Sequence, residues 1–116
     1  MEIQFFGAAK MVTGSNYLIT TEKYNILVDC GMFQGNKEME KMNFMDFPYD
    51  VEEVDYLILT HAHIDHSGRI PKLVKDGFRG KIICTKPTFD LCEIMLLDSA
   101  KIQESDVEWE NKKRLR

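Results

Sequence analysis

Apolar residues in this chain come in short runs, some alternating with polar ones and some recurring at helical spacing. Ile3-Gln4-Phe5-Phe6 alternates weakly and then meets Gly7, which predicts a first strand ending in a turn, with Ala8 to Gly14 as a loop. Asn16-Tyr17-Leu18-Ile19-Thr20 reads as a second strand, and Thr21-Glu22-Lys23 leads into a third, Tyr24 to Asp29. Two β-rich runs so close together make a hairpin, so the chain is expected to open with an antiparallel meander.

Farther on, Asn36 to Asp46 is polar with Met39, Met42 and Met45 at spacing three, the pattern of one short amphipathic helix whose methionines pack into the core. Phe47-Pro48-Tyr49-Asp50 breaks that pattern. Tyr56-Leu57-Ile58-Leu59 is apolar on both faces, as a strand buried in mid-sheet would be. Ile70, Leu73 and Val74 then recur at helical spacing, with Pro71 suited to the first turn. Asp76 to Gly80 is turn chemistry and Lys81 to Cys84 another short strand. Strand, helix and strand in this order predict two parallel strands joined right-handedly. Thr85-Lys86-Pro87-Thr88 opens a long helix, with Phe89, Cys92, Leu96 and Ala100, joined by Leu91, Met95 and Ile102, as its apolar stripe.

Between the buried strand and its helix lies Thr60-His61-Ala62-His63-Ile64-Asp65-His66-Ser67-Gly68, which holds all three histidines of the chain. Imidazole nitrogen with carboxylate oxygen suits zinc and similar divalent ions, whereas calcium or magnesium would call for oxygen ligands alone. His61 and His63 alternate and can point the same way, while the turn redirects Asp65 and His66 toward a neighbouring point. Two adjacent metals, each taking a pair of these side chains, is the arrangement expected. Asp29 ends an early strand, where a carboxylate can accept the second N–H of a metal-bound imidazole and fix its tautomer. The glycines of Cys30-Gly31-Met32-Phe33-Gln34-Gly35 permit a tight backbone that approaches a ligand. The loop after Phe47 is expected to lie partly over the site.

Composition narrows the setting. At 116 residues, 44% apolar and 29% charged, the chain is one ordinary globular domain's worth, with no apolar run long enough to cross a bilayer and no signal-peptide pattern, so a cytoplasmic location away from membranes is expected. Cys30, Cys84 and Cys92 are odd in number and widely spaced, which points to reduced, mostly buried thiols. A net charge of −4 gives no general attraction to nucleic acid; the basic Lys112-Lys113-Arg114-Arg116 run reads as a solvated helix face or tail.

The His-x-His-x-Asp-His order after a buried strand resembles the signature of the metallo-β-lactamase superfamily. That resemblance implies His61 and His63 on a first zinc and Asp65 and His66 on a second, with Asp29 supporting an imidazole from behind. Three further stretches, Gly7 to Ser15, Asp29 to Gly35 and Cys84 to Thr88, are similar to the β-CASP branch of RNA-processing nucleases. The fold implied is α/β (α+β): the N-terminal half of an αββα sandwich, one mixed sheet with flanking helices, with residues 1–116 as a partial domain. The activity implied is hydrolysis of RNA phosphodiesters, in which two ions activate a water for in-line attack and Asp65 binds metal and helps orient the nucleophile. Thr13, Gly14 and Ser15 offer hydroxyls and backbone N–H groups to a substrate phosphate.

Such enzymes complete their metal sites with later histidines and an aspartate, and no histidine follows His66. The chain therefore reads as an N-terminal portion, without the β-CASP insert and inactive by itself. Alternatives are a hydrolase of small esters or thioesters on the same fold, or a non-catalytic interaction module. A sheet lacking its partner would expose apolar area, so self-association through that face is expected.

Overall fold

The computed structural model describes residues 1–7 and 12–114; most of the predicted loop from Ala8 onward, and the second basic end of the tail at Arg116, lie outside the described residues. One five-stranded sheet runs in chain order: β1 (Glu2–Phe5), β2 (Tyr17–Thr20), β3 (Asn25–Val28), β4 (Tyr56–Ile58) and β5 (Lys81–Ile83). β1, β2 and β3 pair antiparallel as the alternation predicts, and β4 joins β3, and β5 joins β4, in parallel. Among the described residues four α-helices accompany them: α1 (Lys37–Lys41), α2 (Ile64–Ser67), α3 (Ile70–Lys75) and α4 (Lys86–Arg114).

Register divides the sheet into two unlike faces. Leu18, Leu27 and Leu57 are Cα partners in one row, are at most 8% exposed, and form the floor of the core with Leu59, Ile70, Leu73, Phe78 and Cys92 above them. The neighbouring row, Phe5, Tyr17, Val28, Ile58 and Ile83, points the other way, and there Phe5 is 62%, Ile58 38% and Ile83 50% exposed. Successive strand residues alternate between faces, so an uncovered face leaves every second residue in water. The expectation of a strand buried on both faces at Tyr56–Leu59 is thus corrected: β4 is apolar on both faces but packed on one.

Helical expectations need adjusting too. The predicted methionine helix is a five-residue α1, capped by Asn36 through its Oδ1 and the Met39 N–H at 2.9 Å, followed by a 3-10 turn over Met42–Phe44. None of its residues is buried, and Met45 is 62% exposed, so the methionines do not join the core. The α-helix ends there because Asn43 is drawn toward Phe33, whose N–H it accepts at 2.6 Å and whose carbonyl it reaches at 2.9 Å. The loop after Phe47 turns Phe47, Val51 and Val54 into the core. Val74 in α3 is 47% exposed.

α4 is 29 residues long, about 43 Å at helical rise. Of its expected apolar stripe only Cys92 is buried, with Met95 and Leu96 partly packed; Phe89, Leu91 and Ile102 are exposed. Its basic end, Lys112 to Arg114, is solvated. Among the described residues no helix is long and apolar enough to cross a membrane.

Candidate metal centre

The three histidines lie where β4 leaves the sheet. Leu59 still donates to the Ile83 carbonyl at 2.9 Å, which keeps the chain extended beyond Ile58, and the turn into α2 begins at His63. The α2 turn is too short to be stable alone. Tertiary backbone bonds hold it: Cys30 N–H donates to His66 O at 2.8 Å, Met32 N–H to Ile64 O at 2.9 Å, and Ser15 N–H to Asp65 O at 3.1 Å. The Ser67 hydroxyl fastens the inner side, bonding the carbonyls of Ala62 and His63 at 3.0 and 3.1 Å.

Gly31 makes this contact sterically possible. A Cβ placed there would stand 1.6 Å from the Asp65 carbonyl oxygen, so only glycine lets the two backbones meet. The tight approach expected of this loop is made, and its object is the metal turn itself.

On the outer side, one donor atom each from His61, His63 and Asp65 lie within 4.8 Å of one another. His66 Nε2 is 3.5 Å from Asp65 Oδ2, and the rings of His61 and His66 have centroids 3.9 Å apart. All four predicted side chains therefore share one mouth. Two imidazoles and a carboxylate at this separation are a donor set that zinc or a similar divalent ion fits.

Asp29 lies directly behind them, 2% exposed, with its backbone at φ 61°, a region that asparagine and aspartate tolerate better than other side-chain-bearing residues. Its carboxylate accepts from Thr60 N–H at 2.8 Å, from the Thr60 hydroxyl at 2.8 and 3.0 Å, and from His66 Nδ1 at 2.7 Å. A carboxylate only accepts, so His66 carries its proton on Nδ1 and presents the Nε2 lone pair to the mouth.

Thr13, Gly14 and Ser15 lie on the stretch that leads into β2. The Thr13 hydroxyl accepts from Gln34 N–H at 2.9 Å, Gly14 at φ 80° lies against the Phe33 ring, and Ser15 is 2% exposed with its N–H on Asp65 O.

Four contributors, Asn16, Tyr49, Thr60 and Arg69, were not singled out from sequence. Asn16, fully buried, donates from Nδ2 to the Asp29 carbonyl at 2.8 Å and accepts from Tyr49 Oη at 2.8 Å, which holds the strained Asp29 backbone. A polar amide at the head of an apolar strand was the available signal. Burial pushes the Tyr49 hydroxyl far up, so it stays a donor. Thr60 touches both Asp29 and His61. Arg69, 6% exposed, bonds the Gly31 carbonyl through Nε and stacks over Phe33 at 4.5 Å; burial lowers its pKa. No local pattern marks it. Cys30 is fully buried, and its thiol is pushed up to about 12, chiefly by burial, which leaves it a neutral core residue.

Comparison with known proteins gives these contacts a family. The chain is 47% identical over 104 residues to "Ribonuclease TTHA0252" of Thermus thermophilus, covering 90% of this chain and 24% of that protein. It is 39% identical over 113 residues to "Probable RNase MJ4" of Methanocaldococcus jannaschii, covering 97% and 24% respectively. With "Transcription termination factor FttA" of Methanosarcina mazei it shares 36% identity over 99 residues, covering 84% and 16%. The chain thus spans a quarter or less of the length of these relatives. Residues 10–105 match the family model described as "Metallo-beta-lactamase superfamily", a metal-dependent family: the chain belongs to the metallo-beta-lactamase superfamily.

Proposed function

We propose that this chain forms the metal-holding corner of a zinc-dependent ribonuclease of the β-CASP type. In this reading His61 and His63 serve one zinc, Asp65 and His66 a second, Asp29 fixes His66 from behind, and an RNA phosphodiester is the bond cleaved. The observation that carries it is the convergence of the His61, His63 and Asp65 donors within 4.8 Å in a chain whose relatives include proteins named as ribonucleases. When bound, the ions supply Lewis acidity and a water activated near neutral pH. The chain's own residues hold the ions at the sheet edge, keep imidazole lone pairs outward, and let Asp65 orient the attacking group. Four protein donors shared by two zincs fall short of the three that each catalytic zinc generally keeps, so the chain alone takes up metal without cleaving RNA.

A chimera tests this: the matched segment of the Thermus relative is replaced by this chain. The expected result is RNA cleavage that requires zinc and is abolished by His63→Ala or Asp65→Ala. Hydrolysis of a chromogenic ester without RNA cleavage would favour the small-ester reading. A chimera that folds but binds no zinc would favour the interaction module.

The same reading extends to the uncovered sheet face. Five strands make a face about 24 Å across, and its row of Phe5, Tyr17, Val28, Ile58 and Ile83 is apolar throughout. A second copy, stacked isologously on that face, would bury an area at the small, weak end of protein interfaces. Sedimentation equilibrium should show a concentration-dependent dimer that Phe5→Lys weakens. A monomer at all concentrations would overturn it.

A further inference from the structure

Each imidazole of the metal turn must expose a lone pair, and a ring nitrogen that carries a proton cannot bind an ion. His66 has Asp29 to decide this. Among the described residues His61 has no carboxylate behind it; its Nδ1 is 3.0 Å from Thr60 Oγ1, whose own distances to Asp29 Oδ2 and Oδ1 are 2.8 and 3.0 Å. The single hydroxyl proton of Thr60 goes to the carboxylate, which can only accept. The Thr60 oxygen is then left as an acceptor toward His61, and Nδ1 of His61 must carry the proton. We infer that Thr60 is a positioning residue that relays the Asp29 carboxylate to His61, so that one buried acid sets the tautomers of two metal-facing rings.

Three features make the relay specific. Thr60 is held by its backbone as well, its N–H donating to Asp29 Oδ1 at 2.8 Å, so the hydroxyl is delivered without depending on side-chain packing. Asp29 is held in turn by Asn16 through its carbonyl and by its own N–H to Ile58 O at 2.8 Å. His63, by contrast, has no side-chain hydrogen bond among the described residues, although its ring lies edge-on to His61 with centroids 4.9 Å apart. The three rings therefore divide into one fixed directly, one fixed through a hydroxyl and one unfixed.

This rests on the reading of His61 as a metal ligand, and the test separates the two. Thr60→Val removes the hydroxyl at an exposed position and keeps the backbone bond to Asp29; Thr60→Ser keeps the hydroxyl. Long-range proton–nitrogen spectra of the metal-free chain at mildly alkaline pH report each tautomer, and zinc titration by calorimetry reports affinity. In the wild type His61 and His66 should each be single Nδ1–H tautomers, with His63 a mixture. In Thr60→Val, His61 should become mixed like His63 while His66 is unchanged, and the zinc dissociation constant should rise about tenfold, the low end for loss of a ligand's outer partner. Thr60→Ser should stay near wild type in both. A wild-type His61 protonated on Nε2, or a Thr60→Val chain with wild-type tautomer or wild-type zinc affinity, overturns the relay. If no variant takes up zinc, the metal reading fails, and the tautomer spectra alone still uphold or overturn the relay.

Discussion

The metal turn and helix α4 each follow a strand of the parallel half of the sheet, yet they are held in opposite ways. α2 has four residues and would not persist alone; its carbonyls are taken by Ser15, Cys30 and Met32 from two other segments. α4 has 29 residues, satisfies its own backbone, and buries only Cys92. Helices that rest on local bonds tolerate change, whereas a turn built by tertiary bonds transmits any disturbance to the groups it carries. Chemistry that needs several side chains at one point belongs on the second kind.

The contrast breaks most visibly at Gly31. Gly31→Ala drives a Cβ into the Asp65 carbonyl, two backbones that cannot both yield, and should cost about 3 kcal/mol or more in urea denaturation while weakening zinc uptake. Asp29→Asn comes next. Asparagine tolerates the left-handed backbone, but its NH2 faces donors from Thr60 and His66, so zinc affinity should fall about 10- to 100-fold by calorimetry.

Alkaline pH sharpens the comparison more gently. The Cys30 thiol, 9.0 when unperturbed, is held up to about 12 in the fold by burial. Between these values the unfolded chain has lost a proton that the native chain keeps, so stability is full below pH 9 and falls above it. The fall should deepen with each pH unit above 9. Urea midpoints at pH 8 and 10.5 should show a decline that is shallower in Cys30→Ala. The smallest effect is expected on α4: Trp109, 59% exposed, should change stability by less than about 0.5 kcal/mol when replaced by alanine.

Much of this was legible in the sequence because it is local. Strand alternation gave the antiparallel meander from β1 to β3, and strand, helix, strand gave the parallel pair β4 and β5. The His61 to His66 motif is a local signal as well. What stayed hidden depends on partners distant along the chain. Asn16 meets Asp29 and Tyr49, Arg69 meets Gly31, and Asn43 reaches back to Phe33 and cuts the methionine helix short. The exposure of Ile58 and Phe89 reflects which faces of the sheet and of α4 are covered, and an apolar residue reads the same whether or not anything lies over it.

Zinc K-edge X-ray absorption of the chain loaded with one equivalent of zinc tests the central claim most directly. The expected spectrum has nitrogen and oxygen neighbours at about 2.0–2.1 Å with outer-shell scattering from imidazole, as the histidines and the aspartate of the turn would give. A sulfur shell at about 2.3 Å would show the ion held by cysteine thiolates, and that result, or a chain that retains no zinc, would contradict the account.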